Sequence, residues 1–228
     1  MAITAVAALA GLVAAVVGGT KVHRELVRKP TAAELSRAAA AAVVGRWEVW
    51  PVGRIFPATL PFTADLEVSE RATRVGIDRP AGCGTAVDRR LRPVLSKHGC
   101  RGVLRATYLD QRQAVVFTVG VVAFPSERDA AAARAQIRPH SRSGLKALAI
   151  PKSASAWFSD SARQAATLTV RGPYLVLTTA GYADGRPAAL TGQRRPAVFA
   201  PAKQLARDIL TPLTAPAVPR CGAPGWTC

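Results

Sequence analysis

The sequence predicts an α+β fold, in which one mainly antiparallel sheet is packed by helices. Two observations carry this expectation. Apolar, β-branched segments come in pairs that short polar turns join, and capped helix patterns separate those pairs. A length of 228 residues suits one domain with a short appendage. We therefore expect a membrane helix at 1–20, a basic juxtamembrane linker at 21–30 and the α+β domain at 31–228.

The first element is the uncharged run from Ala2 to Gly19, which is long enough to predict a membrane-spanning helix. Its small residues Gly11, Ala15 and Gly19 recur every four positions, a spacing that allows close helix packing in a membrane. A cleaved signal peptide and a buried helix of a soluble protein are the alternatives. No basic segment precedes the run, which favours the anchor over the signal peptide.

Two rules disagree about the side of the membrane on which the domain lies. Basic residues follow the run directly, and basic flanks favour the cytoplasm. An even number of cysteines behind a hydrophobic leader instead predicts disulfides, which need an oxidising compartment. The disulfide candidates are Cys83, Cys100, Cys221 and Cys228. We give the cysteines more weight and predict an extracytoplasmic domain.

The sequence predicts one cysteine pairing and leaves the pairing of Cys83 and Cys100 open. Cys221 and Cys228 are expected to close a small C-terminal loop, because glycine and proline between them allow a tight return. Cys83 and Cys100 flank a helix predicted at Thr85–His98, and a straight helix of that length spans ~22 Å, too far for one bridge. Either that helix is shorter, or the chain turns back, or one of the two pairs with a C-terminal cysteine.

A capping box formed by Thr31 and Glu34 begins a helix that extends to about Trp50. A proline-rich loop and a strand predicted at Leu66–Val75 follow it. The clearest strands are Gly102–Leu109 and Ala114–Phe124, joined by a hairpin turn.

The strand at Ala114–Phe124 is apolar on both faces, so we expect it to be central and covered on both sides. One cover is a helix at Glu127–Ile137 that Ser126 caps, and the other is a second helix or the proline-rich loop. Phe117 belongs to the core, and Gly120 marks a close approach of neighbouring chain.

Shorter patterns predict the remaining elements. These elements are two short strands, a hairpin and an amphipathic C-terminal helix. They lie at Leu145–Ile150, Ala154–Phe158, Ala165–Val170 paired with Tyr174–Tyr182, and Pro201–Leu213.

No motif predicts catalysis, a metal centre or a cofactor site. The three histidines are scattered, and the chain has no nucleophile elbow and no phosphate-binding glycine loop. Ser153, Ser155, Ser159 and Ser161 flank Trp157 in an alternation that is typical of the solvated face of a strand. We therefore expect no enzymatic activity and no cofactor.

The chain has 31 Lys and Arg against 14 Asp and Glu, a formal net charge of +17. This charge suggests nucleic acid as a partner. However, no nucleic-acid-binding motif accompanies it, and an extracytoplasmic domain does not meet DNA. We therefore do not expect nucleic acid to be the partner. The candidate anion-binding patch is Arg89, Arg90, Arg92 and Lys97. Anionic lipid headgroups or cell-wall polymers are the partners that this patch would suit, and a solvated helix face is the alternative interpretation.

Five stretches carry a resemblance in layout and composition: the Ala/Val leader, Arg46–Trp47 with Trp50–Pro51, Arg54–Pro57, Arg105–Asp110 and Ala180–Pro187. In these the chain resembles uncharacterised single-pass membrane proteins of actinobacteria. The resemblance implies a membrane-anchored domain and assigns no role to any residue. We therefore expect a non-enzymatic interaction or sensing domain outside the membrane. The alternative is a cytoplasm-facing protein that binds anionic lipid or nucleic acid through its charge.

Overall fold

A computed structural model describes residues 15–24, 28–64, 68–78, 80–138, 144–188 and 196–217. The chain divides into two units, one formed by Met1–Ala40 with Ala217–Cys228 and the other by Ala41–Pro216.

In the first unit, residues 15–24 are helical and exposed. Among the described residues, no helix combines the length and the apolar character that a membrane span needs. Most of the membrane helix predicted at 1–20, namely residues 1–14, lies outside them. The capping box is confirmed at the start of helix α1 (Ala32–Val49), since Glu34 N donates to Thr31 Oγ1 at 3.3 Å and Thr31 N donates to Glu34 Oε2 at 2.8 Å.

The second unit contains a six-stranded sheet in which all neighbouring strands are antiparallel. The strands are β1 (Thr59–Thr63), β2 (Ser69–Ile77), β3 (Gly102–Leu109), β4 (Val115–Ala123), β5 (Arg163–Arg171) and β6 (Tyr174–Tyr182), in the order β1-β2-β3-β4-β6-β5. The predicted α+β class, the central β3–β4 hairpin and the β5–β6 hairpin are thus confirmed. The sequence analysis missed strand β1, because a proline such as its central residue Pro61 is typical of a loop. Proline is tolerated here because β1 is an edge strand of the sheet.

The short strands predicted at Leu145–Ile150 and Ala154–Phe158 are wrong. Apart from one isolated bridge between Leu145 and Val87, residues 146–150 form no regular secondary structure, and residues 151–157 form turns and a bend. It lies across the sheet, where Thr107 Oγ1 donates to Leu148 O at 2.7 Å and Leu148 N donates to Thr118 Oγ1 at 3.1 Å. Threonine hydroxyls of β3 and β4 therefore satisfy backbone groups that a strand would pair along an edge.

Four further helices pack around the sheet: α2 (Val52–Ile55), α3 (Arg92–Lys97), α4 (Glu127–Gln136) and α5 (Pro201–Thr214). Ser126 caps α4 as predicted, accepting a hydrogen bond from Asp129 N. The helix predicted at Thr85–His98 is wrong in its first half, because α3 begins only at Arg92 with Pro93 in its first turn.

The faces of β4 are both covered, as predicted. On one face, Val115, Phe117, Val119 and Val121 pack with residues of α5 and with Ile55, Phe56 and Leu60 of the proline-rich segment. On the other face, Val122 packs with α4, and Leu145 lies so close to Gly120 that a Cβ there would be 2.5 Å from its Cδ1. The glycine is therefore a point of close approach.

Helix α5 is enclosed by the curled sheet. It contacts β5 and β6 on one side and β1, the opposite edge strand, on the other. Its Gln204 side chain accepts a hydrogen bond from the backbone N–H of Thr63 at 3.1 Å. The helix thus fills the concave face and satisfies one backbone donor of the β1 edge.

Candidate functional site

Two clefts open at one end of the sheet, which we call the turn end. Here β1 and β6 end, β2 begins and β3 turns into β4. The larger, the apolar cleft, has a volume of about 520 Å³ and lies between the β1–β2 hairpin, the β3–β4 turn and the start of α5. The polar cleft, of about 480 Å³, is lined by hydroxyl and amide side chains and by three charged ones. These are Thr59, Ser69, Thr73, Gln111 and Gln113, with Glu70, Arg71 and Asp110. Both volumes suit a small organic molecule.

Aromatic rings form the floor of the apolar cleft. Phe62 and Phe117 meet edge to face with their ring centroids 6.2 Å apart, and both are almost fully buried. Tyr182 packs edge to face on Phe199 at 5.2 Å, and Val198 lies beside it in the lining. Strand register explains the arrangement, because Phe62 and Phe117 project to the same face of the sheet as α5.

Two carboxylates, Glu70 and Asp110, line both clefts. Glu70 is half-buried on β2 directly opposite Phe62. Asp110 is 8% exposed, and its Oδ1 accepts hydrogen bonds from Ala114 N at 2.7 Å and Val115 N at 2.8 Å. These bonds hold the β3–β4 turn and fix one acidic group at the rim of each cleft.

Several other acids that the structure describes form ion pairs with arginine, which these two carboxylates lack. Asp78 pairs with Arg105 at 2.5 Å, Asp88 pairs with Arg163 at 2.9 Å, and Asp184 pairs with its neighbour Arg186. In contrast, neither Glu70 nor Asp110 forms an ion pair with any described residue, although the chain has 31 Lys and Arg. Arg71 lines the polar cleft and Arg112 lines the apolar cleft, so two carboxylates face one arginine in each, a small excess of negative charge on a strongly basic protein.

The predicted anion-binding patch is exposed but is not one helix face. Arg89 and Arg90 lie in a turn, whereas Arg92 and Lys97 belong to α3. None of the four forms an ion pair with a residue that the structure describes. Their role in binding anions stays a prediction.

Cys83 and Cys100 form a disulfide, with their Cα atoms 6.2 Å apart. The short helix α3 removes the geometric objection to this pairing, because the chain turns between the cysteines before it reaches β3. Both cysteines are half-buried against the core that contains Leu95 and Val103. The bridge predicted between Cys221 and Cys228 lies outside the described residues.

The serines around Trp157 do not form the solvated face of a strand. Ser155 is fully buried, contacts Ser153 Oγ at 2.8 Å and accepts a hydrogen bond from Ile150 N at 3.2 Å. They therefore hold a turn that leaves Trp157 exposed. Within the described ranges, no group of three or more His, Cys, Asp or Glu is placed to hold a metal ion.

Sequence reasoning missed the turn-end clefts. Glu70 and Asp110 are 40 positions apart, and only strand pairing places them beside the same cavities. The local signal was Asp110 as the first residue of a hairpin turn, which predicted a turn and no site.

No curated protein and no solved structure matches the chain significantly. Residues 58–214, which extend from just before β1 to the end of α5, match the N-terminal domain of DUF7373, a domain of unknown function. The matched segment includes the whole sheet, the Cys83–Cys100 bridge and both clefts, and the chain belongs to the DUF7373 family.

Proposed function

We propose that this protein is a non-enzymatic binding or sensing module, anchored by its N-terminal segment and displayed outside the cytoplasmic membrane. The observation that carries the proposal is the Cys83–Cys100 disulfide. Disulfides persist in oxidising compartments and are rare in the cytosol. The hydrophobic run at Ala2–Gly19 supplies the anchor, and the exposed basic patch faces the partners.

The shape of the turn end supports binding rather than a purely structural role. Helix α1 reaches the sheet at the opposite end, where the Trp47 ring lies over Gly102, the first residue of β3. The clefts therefore lie at the opposite end of the sheet from the contact between Trp47 and Gly102.

Reporter fusions at the C-terminus of the full chain test the topology. We expect an alkaline phosphatase fusion to be active and a green-fluorescent-protein fusion to be dark, because phosphatase needs the oxidising side and the fluorescent protein matures inside. Deleting residues 2–19 is the control and should abolish phosphatase activity. A fluorescent fusion with inactive phosphatase would refute the extracytoplasmic placement.

Peptide mapping without reductant tests the disulfides of protein isolated from its native host. We expect one bridged peptide pair for Cys83–Cys100 and a second for Cys221–Cys228. Free thiols at Cys83 and Cys100 would remove the main support for the proposal.

A second candidate function, favoured by the exposed and unpaired patch, is binding of anionic polymers or lipid headgroups. Full-length protein should bind vesicles of phosphatidylglycerol more tightly than vesicles of phosphatidylcholine, and the difference should shrink with salt. A variant with Arg89, Arg90, Arg92 and Lys97 all changed to Gln should lose most of the difference. Equal binding by this variant and by the unchanged chain would exclude the patch.

A further inference from the structure

We propose that the apolar cleft at the turn end binds a small organic cation, a molecule with an apolar or aromatic body and one protonated amine. This assignment rests on the proposed binding function and names the chemistry of its ligand. It is argued from the volume of the cleft, its aromatic floor and its carboxylates.

The cleft is large enough for such a ligand and supplies an apolar surface for its body. Its volume of about 520 Å³ lies within the usual range of ~300–1,000 Å³ for small-molecule sites. Tyr182, Ala64, Val68 and Val198 are at least partly exposed and supply apolar surface there, above the buried rings of Phe62 and Phe117. A flat or aromatic body can pack on this apolar surface and meet the Tyr182 ring edge to face.

The charged groups of the cleft select the sign of the ligand. Glu70 and Asp110 supply two carboxylates without an ion-pair partner among the described residues, and Arg112 supplies one exposed cation on the β3–β4 turn. The half-buried Glu70 and the mostly buried Asp110 interact with a ligand through less water than the exposed Arg112 does. An amine therefore gains more from the two carboxylates than it loses to the arginine.

An anionic ligand fits the cleft poorly despite the net charge of +17, because two carboxylates and one arginine line the cleft. The Tyr182 ring also favours a cation, since the face of an aromatic ring is electron-rich. In this structure the Arg186 guanidinium already lies over the Tyr182 ring, 4.4 Å from its centroid.

Three probes of matched size and different charge test the assignment by isothermal titration calorimetry on the oxidised full-length protein. The probes are 2-phenylethylamine, the neutral 2-phenylethanol and the anionic 3-phenylpropionate. We expect the amine to bind about tenfold more tightly than the alcohol, as for one hydrogen bond to a charged group, and the carboxylate to bind most weakly. Equal affinities for amine and alcohol, or no binding of any probe, would overturn the assignment.

Substitutions at the rim of the apolar cleft test whether the amine binds there, because two of them should change its affinity in opposite directions. Glu70→Gln should weaken amine binding several-fold and leave the alcohol unaffected, whereas Arg112→Gln should tighten amine binding. Glu48→Gln is the matched control, because it removes the same charge from an exposed position on α1 at the other end of the sheet. If Glu70→Gln reduces stability, the Arg112→Gln result still decides, since looser or unchanged amine binding there would contradict the assignment.

Failure of this assignment and failure of the proposed function can be told apart. The reporter fusions and the peptide mapping do not depend on any ligand. An active phosphatase fusion with no amine selectivity would leave the extracytoplasmic module in place and remove only the ligand class.

Discussion

Tyr174 is the residue that joins helix α1 to the sheet. Its hydroxyl donates to Val43 O at 2.6 Å and accepts from Trp47 N at 3.3 Å. Burial of the phenol raises the pKa of Tyr174 to about 12. Because the group is neutral when folded, its ionisation acts against the folded state.

We expect the stability of the protein to fall between about pH 10 and pH 12. Below pH ~10, the pKa of tyrosine in the unfolded chain, Tyr174 is protonated in both states. Between about pH 10 and pH 12 it keeps its proton only in the folded state. The free energy of unfolding therefore falls with pH, and the loss due to Tyr174 approaches roughly 2–3 kcal/mol near pH 12. Tyr174→Phe should cost about 1 kcal/mol at pH 7 and make the alkaline fall shallower. Urea titrations at pH 7, 10 and 11.5 measure both effects. If the free energy of unfolding falls as steeply with pH in the variant as in the wild type, Tyr174 does not cause the fall. Burial also raises the pKa of Tyr108, so part of the fall should remain.

Strand β4 lets the two faces of the core be tested separately. Phe117→Ala should cost on the order of 3–5 kcal/mol, because the ring is fully buried against Phe62 and α5. Gly120→Val should cost ~1–3 kcal/mol on the opposite face, where Leu145 leaves no room for a side chain.

The control for the glycine is Gly45→Ala in α1, where nothing lies within 4 Å of the new Cβ. This change should be neutral or stabilising, since alanine favours a helix. Denaturation of the oxidised protein gives all three values. A wild-type midpoint for Phe117→Ala would show that β4 is not the core.

At the scale of elements, Arg46 of α1 caps the C-terminus of α5. Its guanidinium donates to the carbonyl oxygens of Leu213 at 3.0 Å and Ala215 at 2.5 Å, and burial lowers the pKa of Arg46. These carbonyls have no partner within the helix. The side chain of Arg46 is buried at this contact.

Arg46→Met should reduce stability by about 1–3 kcal/mol, because it keeps the aliphatic stem and removes the donors from buried acceptors. Arg37→Met, at an exposed position of the same helix, should change stability by less than about 0.5 kcal/mol. Thermal melts of the two variants side by side give the comparison. Equal midpoints would mean that solvent satisfies the α5 carbonyls.

At the scale of the whole molecule, the excess of positive charge should make stability depend on salt. Cations outnumber anions by 17, and most of the arginines that the structure describes form no ion pair. Raising the salt from about 0.01 M to 0.15 M shortens the Debye length from ~30 to ~8 Å and should raise the melting midpoint. The variant with Gln at all four patch positions should respond less. A midpoint that falls with added salt would show that attractive pairs dominate the charge interactions.

Local patterns predicted the parts of the fold that depend on neighbouring residues. The capping box at Thr31, the Ser126 cap and the β3–β4 and β5–β6 hairpins follow from turn chemistry and side-chain period within short windows. The pattern failed at Leu145–Phe158, where the chain is apolar like a strand but covers a face of the sheet. Composition cannot separate these cases, because both bury apolar side chains.

The sequence by itself determined the α+β class, the central hairpin with two buried faces, the net charge and the presence of cysteines near the start of β3. Only the tertiary structure decided that Cys83 pairs with Cys100, that α5 lies within the curl between β1 and β5, and that Glu70 and Asp110 line the same clefts at the turn end. The physical reason is the distance along the chain over which each interaction acts. Caps, turns and alternation act over a few residues, whereas the bridge, the enclosed helix and the clefts depend on which strands pair and how far the sheet curls.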